Sequence, residues 1–243
     1  MSALLKMEWI QIRRNWPVFI MSVGMPLAFF LFFSSTNNFE NAVLKQKFIR
    51  EYMLTMTSFS MSSFALFTFP VLLKEDLNNH YLKYIEHSPL KMSQYYLSKI
   101  IRVIIYFSVS IVVTFFAGAF ARGVELSVNK WLISALFLLL TSSVYLAIGL
   151  LISQINKQQV MSIVSNISFL GLAIIGGSWW PISLFPKGVQ AISKLTPSYH
   201  VNHFITSYIS QENIATKSLL IVLVYAIIIA ALAIRIKQKR EVN

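Results

Sequence analysis

Six stretches of the sequence stay apolar for about 20 residues each, the length a helix needs to cross ~30 Å of hydrocarbon. They cover 17–36, 52–73, 103–121, 131–153, 159–178 and 218–234. Runs this long have no place on a water-facing surface. Charged residues make up only 12% of the 243, against roughly 25% in soluble domains. That is too little polar surface for a soluble globule, and the chain is too apolar for disorder. The runs are continuous rather than alternating, so they predict helices and not barrel strands. The fold class is therefore an all-α membrane protein with six transmembrane helices.

The flanks orient these spans. In residues 1–16, Leu4, Leu5, Trp9 and Ile12 fall near one helical face, with Lys6, Arg13 and Arg14 beside them. This predicts an amphipathic helix lying in the interface. A cleaved signal peptide would end in an A-x-A site, and none follows. With six spans both termini share a side. That side carries Lys6, Arg13, Arg14, Lys74, Lys83, Lys91, Lys99, Arg102, Lys157, Arg235, Lys237, Lys239 and Arg240. The opposite side carries the shorter set Lys45, Lys47, Arg50, Arg122, Lys130, Lys187, Lys194 and Lys217. The positive-inside rule then puts both termini in the cytoplasm. It also accounts for the net charge of +12 without a nucleic-acid partner, because the basic residues sit at span ends. The chain has no cysteine, which excludes thiol nucleophiles and thiolate metal sites. His200 and His203, with Glu212 nearby, lack a third ligand at convincing spacing, so no metal is expected.

The spans as drawn hold no Asp, Glu, Lys, Arg or His near their middles. This argues against a proton-driven pump and against an intramembrane hydrolase, both of which need buried titratable groups. Two spans carry hydroxyls and amides instead. In span two, Thr55, Phe59, Ser62, Ser63 and Leu66 share a face; in span five, Ser162, Ser165, Asn166 and Phe169 do. Two readings stay open. Small polar residues let helices pack in lipid, or they form a mildly polar, uncharged lining for an amphipathic or lipid-like passenger. Gly171–Ser178 mimics the glycine spacing of a phosphate-binding loop, yet Gly177 stands where that loop needs lysine.

Two connections carry more information. Between spans two and three, Leu77, Tyr81, Tyr84 and Ile85 recur at helical spacing among Lys74, Glu75, Asp76 and Glu86, and Ser88-Pro89 ends the pattern. This predicts a short amphipathic helix over 74–89. It serves either as a connector or as a plug into a soluble partner. The stretch from Lys74 to Arg102 is far too short for a nucleotide-binding domain, so any ATP-driven work must enter through another chain. After span five, an apolar stretch is broken by Pro181, Pro186 and Pro197, with Trp179 and Trp180 as interface anchors. It predicts short helical pieces re-entering the outer face over 179–208.

With these residues in view, the chain resembles the membrane subunits of ABC-2 type exporters. The likeness covers nearly the whole chain. Its most specific part runs from Gly176 to Tyr199, with glycines, then Phe185-Pro186, then a short helix ending Leu195-Thr-Pro197-Ser-Tyr199. The resemblance implies two membrane chains, identical or related, and two separate ATPase chains that supply ATP and magnesium chemistry. It implies no catalytic residue or cofactor in this chain. Lys74, Glu75, Asp76, Leu77, Tyr81, Tyr84, Ile85 and Glu86 would then form the ATPase-coupling helix. Thr55, Phe59, Ser62, Ser63, Leu66, Ser162, Ser165, Asn166 and Phe169 would line the path across a dimer axis. Trp179, Trp180, Pro181, Phe185, Pro186, Pro197 and Tyr199 would form the external gate. Small bacterial members in the cell membrane include exporters of antibiotics and of amphipathic peptides, the phenol-soluble modulin exporters among them. Other readings are a secondary transporter, a passive channel or scaffold, and an intramembrane enzyme.

Overall fold

The computed structural model describes residues 2–36, 41–211 and 214–241. Every regular element among them is helical. In chain order these are α1 (Ser2–Arg14), α2 (Pro17–Thr36), α3 (Ala42–Asn78), α4 (Tyr81–Glu86) and α5 (Met92–Arg122). There follow α6 (Val128–Ile152), α7 (Gln158–Ile175), α8 (Lys187–Ser193), α9 (Pro197–Gln211) and α10 (Thr216–Glu241). Six of them, α2, α3, α5, α6, α7 and α10, are long and apolar enough to cross a membrane.

Helix α3 is the axis of the bundle. Its apolar window is 83% buried, and it packs against α2, α5, α6, α7 and α9. At 37 residues it is about 55 Å long, well beyond the ~30 Å of hydrocarbon. Hydropathy ends this span at 52 and 73 because charges begin there. The helix continues, because headgroups and water tolerate the charges while the backbone bonding stays intact. Asn41 starts it by accepting a hydrogen bond from the Val43 N–H at 2.8 Å. By contrast α10 is only 11% buried; it lies against α6 and α9 and turns its remaining face outward.

Two spans contain a π-helical turn just ahead of a proline: Ile20–Gly24 before Pro26 in α2, and Phe64–Thr68 before Pro70 in α3. Proline has no N–H and crowds the carbonyl four residues back, so the ladder must widen or break. In lipid the freed carbonyl needs another donor. Pro26 frees the Ser22 carbonyl, and the Ser60 hydroxyl of α3 donates to it at 2.8 Å. Ser110 of α5 in turn donates to Ser60 at 2.7 Å, and Ser63 donates to the Ser22 hydroxyl at 3.1 Å. Several hydroxyls of span two thus serve packing. At the second wide turn, Gly149 of α6 lies flush against the backbone. A Cβ there would sit 2.0 Å from the Ala65 carbonyl oxygen.

The N-terminal helix is anchored differently from its predicted face. Leu4, Glu8 and Ile12, spaced by four, turn inward against α5, whereas Trp9 is 55% and Trp16 60% exposed. The connection after α3 also differs from a single amphipathic helix over 74–89. Lys74–Asn78 is the last part of α3 itself. The chain then turns at Asn79 and His80, where φ of His80 is +57°, and resumes as α4. After α7, Gly177 supplies a turn with φ of +75°, which an L side chain resists. Pro186 and Pro197 stand at the starts of α8 and α9, where the missing N–H costs no helical bond.

Candidate functional site

Three features lie along α3. The first is a buried cluster of charges at the end of the bundle that carries both termini. Lys99 Nζ is 2.7 Å from Glu8 Oε1 and 2.7 Å from Asp76 Oδ2. Arg102 Nη1 is 3.1 Å from Glu8 Oε2 and also donates to Gln11 Oε1. Arg102 Nε donates to the Tyr106 hydroxyl at 2.9 Å, and the Tyr95 hydroxyl donates to Asp76 Oδ2 at 2.7 Å. Side-chain exposures are 1% for Lys99, 0% for Arg102, 3% for Glu8 and 15% for Asp76. Two cations face two anions, so the cluster is neutral overall, which is what makes deep burial tolerable. It joins α1, the end of α3 and the start of α5. Nearby, burial pushes the Tyr81 phenol up, and the Asp76 and Glu8 carboxylates push the same way, so it stays protonated and uncharged.

This overturns one sequence reading. Lys99 and Arg102 count there as loop charges outside span three. In the structure they lie near the start of α5 and are buried, while the middles of the six long helices hold no Asp, Glu, Lys, Arg or His. The only sequence signal was Glu8 between Leu4 and Ile12 on an apolar stripe.

The second feature is the surface beside that cluster. The predicted coupling residues divide in two. Glu75, Leu77 and Tyr84 are exposed, Tyr84 to 71%. Asp76, Tyr81 and Ile85 turn inward: Asp76 to Lys99, Tyr81 with its hydroxyl to Met7 Sδ, and Ile85 packed with Leu4 and Tyr95. Lys74 is buried beside Tyr95 and Tyr96. The side chain of Glu86 lies outside the described residues.

The third feature is a seam between α2, α3 and α7. A groove of about 760 Å³ opens along it, lined by Ser22, Ser63, Phe67, Glu75, Asn166 and Phe169 among others. In a pure α-helix, residues four apart drift by about 40° per step. The wide turn at Phe64–Thr68 offsets much of that drift, and Ser63, Phe67, Val71 and Glu75 all line the groove. Beyond Ser63 the groove is closed by stacked rings. Phe59 lies on Phe169 with centroids 4.6 Å apart and planes at 13°, and Trp179 meets Phe59 edge-on at 5.7 Å and Phe29 at 5.6 Å. On the far side of these rings lies a second pocket of about 190 Å³, lined by Thr55, Trp179, Trp180, Pro181 and Tyr199.

Of the predicted path residues, Ser63, Asn166 and Phe169 meet at the groove, Thr55 lines the far pocket, and Phe59 stands between. Ser62, Leu66, Ser162 and Ser165 line neither cavity. Leu66 is fully buried in the core, and the Ser62 hydroxyl donates to the Phe59 carbonyl. Of the predicted gate residues, Phe185, Pro186 and Pro197 shape helix starts rather than the pocket wall; the Phe185 carbonyl accepts from Gln190 at 2.8 Å. Sequence reasoning missed Asn202, whose Nδ2 ties the Gly176 carbonyl at 3.0 Å to Ser178 Oγ at 2.9 Å. His200 and His203 both meet Ser218 at the start of α10, at 3.4 and 3.0 Å, and burial lowers the His200 pKa. Among the described residues no group of three His, Asp or Glu stands close enough to hold a metal ion; Glu212 lies outside them.

A helix bundle with a groove closed by aromatic rings and an exposed patch at the foot of its central helix has the layout of a multi-pass membrane permease. Comparison with known proteins makes this specific. The profile of the ABC-2 family transporter proteins matches residues 33–235, and the chain belongs to that family. It is similar to YvfS of Bacillus subtilis (strain 168), with 27% identity over 234 residues, spanning 96% of this chain and 95% of that one. The name of that relative proposes a transport permease. Family membership makes the chain a membrane permease of an ABC transporter, a system that works with ATPase partners.

Proposed function

We infer that the chain is the membrane-spanning subunit of an ATP-driven exporter for amphipathic or hydrophobic molecules, such as a peptide toxin, an antibiotic or a lipid-like compound. It works in the bacterial cell membrane with both termini in the cytoplasm. Two permease chains, identical or related, and two ATPase chains make the working unit, and ATP with magnesium acts in the ATPases.

One observation carries this reading. The exposed Glu75 and Leu77 sit on the last turns of the same helix whose middle carries Phe59, Ser63 and Phe67. A push on the foot of α3 therefore acts on the ring barrier through one continuous helix. The neutral cluster Glu8–Asp76–Lys99–Arg102 makes α1 and α5 move with that foot. Opening between α3 and α7 then parts Phe59 from Phe169 and joins the groove to the far pocket. A groove with methyl, ring and hydroxyl groups suits a passenger with both apolar and polar parts.

Docking is tested by Glu75→Lys combined with Tyr84→Ala. Both side chains are exposed, so stability is expected to change by less than ~0.5 kcal/mol. The ATPase that co-purifies with the wild type is expected to be lost. Retention of the ATPase with normal transport would refute the docking surface. The barrier is tested by Phe169→Ala in proteoliposomes without ATP. Loss of the stacked pair removes ~0.5–1.5 kcal/mol beyond the burial term and leaves a hole in the ring layer. Leakage of a small dye is expected to rise several-fold over the wild type, and less for Phe169→Leu. An unchanged leak rate would place the barrier elsewhere.

A further inference from the structure

The pocket beyond the ring barrier has chemistry of its own. Its walls include Glu51, Tyr52, Trp179, Trp180, Tyr199 and Asn202. Three of their polar atoms are buried with no hydrogen-bond partner among the described residues: Asn202 Oδ1, the Tyr52 hydroxyl and Trp179 Nε1. Asn202 and Tyr52 are each only 6% exposed. The orientation of the Asn202 amide follows from its neighbours. Its nitrogen lies 3.0 Å from the Gly176 carbonyl, which can only accept, so its oxygen is the atom left over. Buried polar atoms are nearly always paired, and an unpaired acceptor on a residue that lines a cavity can be satisfied by a ligand's donor after a small shift of its side chain.

The rest of the wall narrows the donor. Glu51 brings a carboxylate to the pocket, its Oε1 held by Ser210. Lys47 approaches the same oxygen at 3.9 Å, but its side chain is 52% exposed and free to swing into solvent. Aromatic rings surround the space, and ring faces attract cations. A carboxylate, a carbonyl acceptor and aromatic walls together select a cation that can also donate hydrogen bonds. The geometry points to a binding site for a primary ammonium group. Two orphan groups that can donate, Trp179 Nε1 and the Tyr52 hydroxyl, suit an oxygen on the same ligand, such as the hydroxyl of ethanolamine. At about 190 Å³ the pocket has room for a head the size of ethanolamine. The amine comes either from a lipid headgroup or from a cationic passenger, and Trp179, shared with the ring barrier, sets it directly beyond the closed point of the seam. Occupancy does not depend on the direction of transport or on the ATPase.

The test is a titration of the intrinsic tryptophan fluorescence of the purified full-length chain in detergent. Ethanolamine is the probe, with tetramethylammonium and inorganic phosphate as comparisons. Ethanolamine is expected to give a saturable change, tetramethylammonium a weaker one because it cannot donate, and phosphate none. Glu51→Gln is expected to weaken ethanolamine at least tenfold, and Asn202→Leu likewise. Asn202 also ties Gly176 to Ser178, so melting temperatures are measured for both variants, and the isosteric Glu51→Gln at the rim is the deciding variant. An absent response in the wild type, or an equal one in Glu51→Gln, would overturn the site. A tighter response to tetramethylammonium would overturn the hydrogen-bonding role of Asn202. Lipid nanodiscs separate the sources. If a headgroup fills the site, phosphatidylethanolamine discs abolish the ethanolamine response and phosphatidylglycerol discs preserve it. If the passenger supplies the amine, both discs preserve it. The titration uses this chain alone, so a failed ATPase-docking experiment would leave its outcome untouched.

Discussion

Lys99→Met is expected to destabilise the chain by ~3–5 kcal/mol, the usual consequence of removing one partner from a buried ion pair. The change leaves Glu8 and Asp76 facing Arg102 alone, with one negative charge unmatched at side-chain exposures of 3% and 15%. Adding Asp76→Asn restores neutrality, and the double variant is expected to recover more than half of the loss, because the uncompensated charge rather than the missing contact dominates. Thermal melting in detergent measures both. A single variant as stable as the wild type would mean that water reaches the cluster. In the exporter reading the single variant also uncouples, because α1 and α5 no longer follow the foot of α3. Residual ATPase binding with lost transport would show that.

Gly149→Ala is the second large effect. The added Cβ would stand 2.0 Å from the Ala65 oxygen, where even a weak C–H···O contact needs about 3.3 Å. The obstacle is backbone in a π turn already displaced by Pro70, so no rotamer relieves it. Helices α3 and α6 must separate, at a cost near the upper end of the ~1–3 kcal/mol seen for overpacking. The control is Gly188→Ala in α8. A Cβ there meets nothing within 4 Å, and better helix propensity should stabilise by about 0.5–1 kcal/mol. Equal effects from the two substitutions would refute the close approach.

Much of the fold was readable because lipid leaves a chain few options. Twenty apolar residues in lipid become a helix, so each apolar run overlaps one of the six long helices; 52–73 and 103–121 stop short where charges begin, while 159–178 runs past the helix end at Ile175. Proline punctuation pointed to short helical pieces, and Pro186 and Pro197 do stand at the starts of α8 and α9, but the motif from Leu195 to Tyr199, read as a helix end, straddles the start of α9 because Pro197 can begin a helix and not continue one. What stayed hidden depends on contacts distant in sequence. Ser60 and Ser62 look alike as sequence, yet Ser60 repairs a carbonyl freed by Pro26 on a different span. Lys99 and Arg102 look like topology charges until Glu8, far away in the chain, is seen to meet them. Phe59 and Phe169 are two phenylalanines among 19, and nothing local marks them as stacked. Asp76 and Glu75 are adjacent, and only the roll of α3 sends one inward and the other to solvent.

The widened turn at Phe64–Thr68 holds one surplus residue relative to a tighter coil. Removing that surplus would swivel everything on one side of it by about 100° and draw it in by about 1.5 Å relative to the other side. Phe59 and Ser63 would rotate away from their neighbours with the base of the rod unmoved. Pro70 has no N–H with which to close the ladder, so the surplus stays where it is and sets the roll of the rings above it.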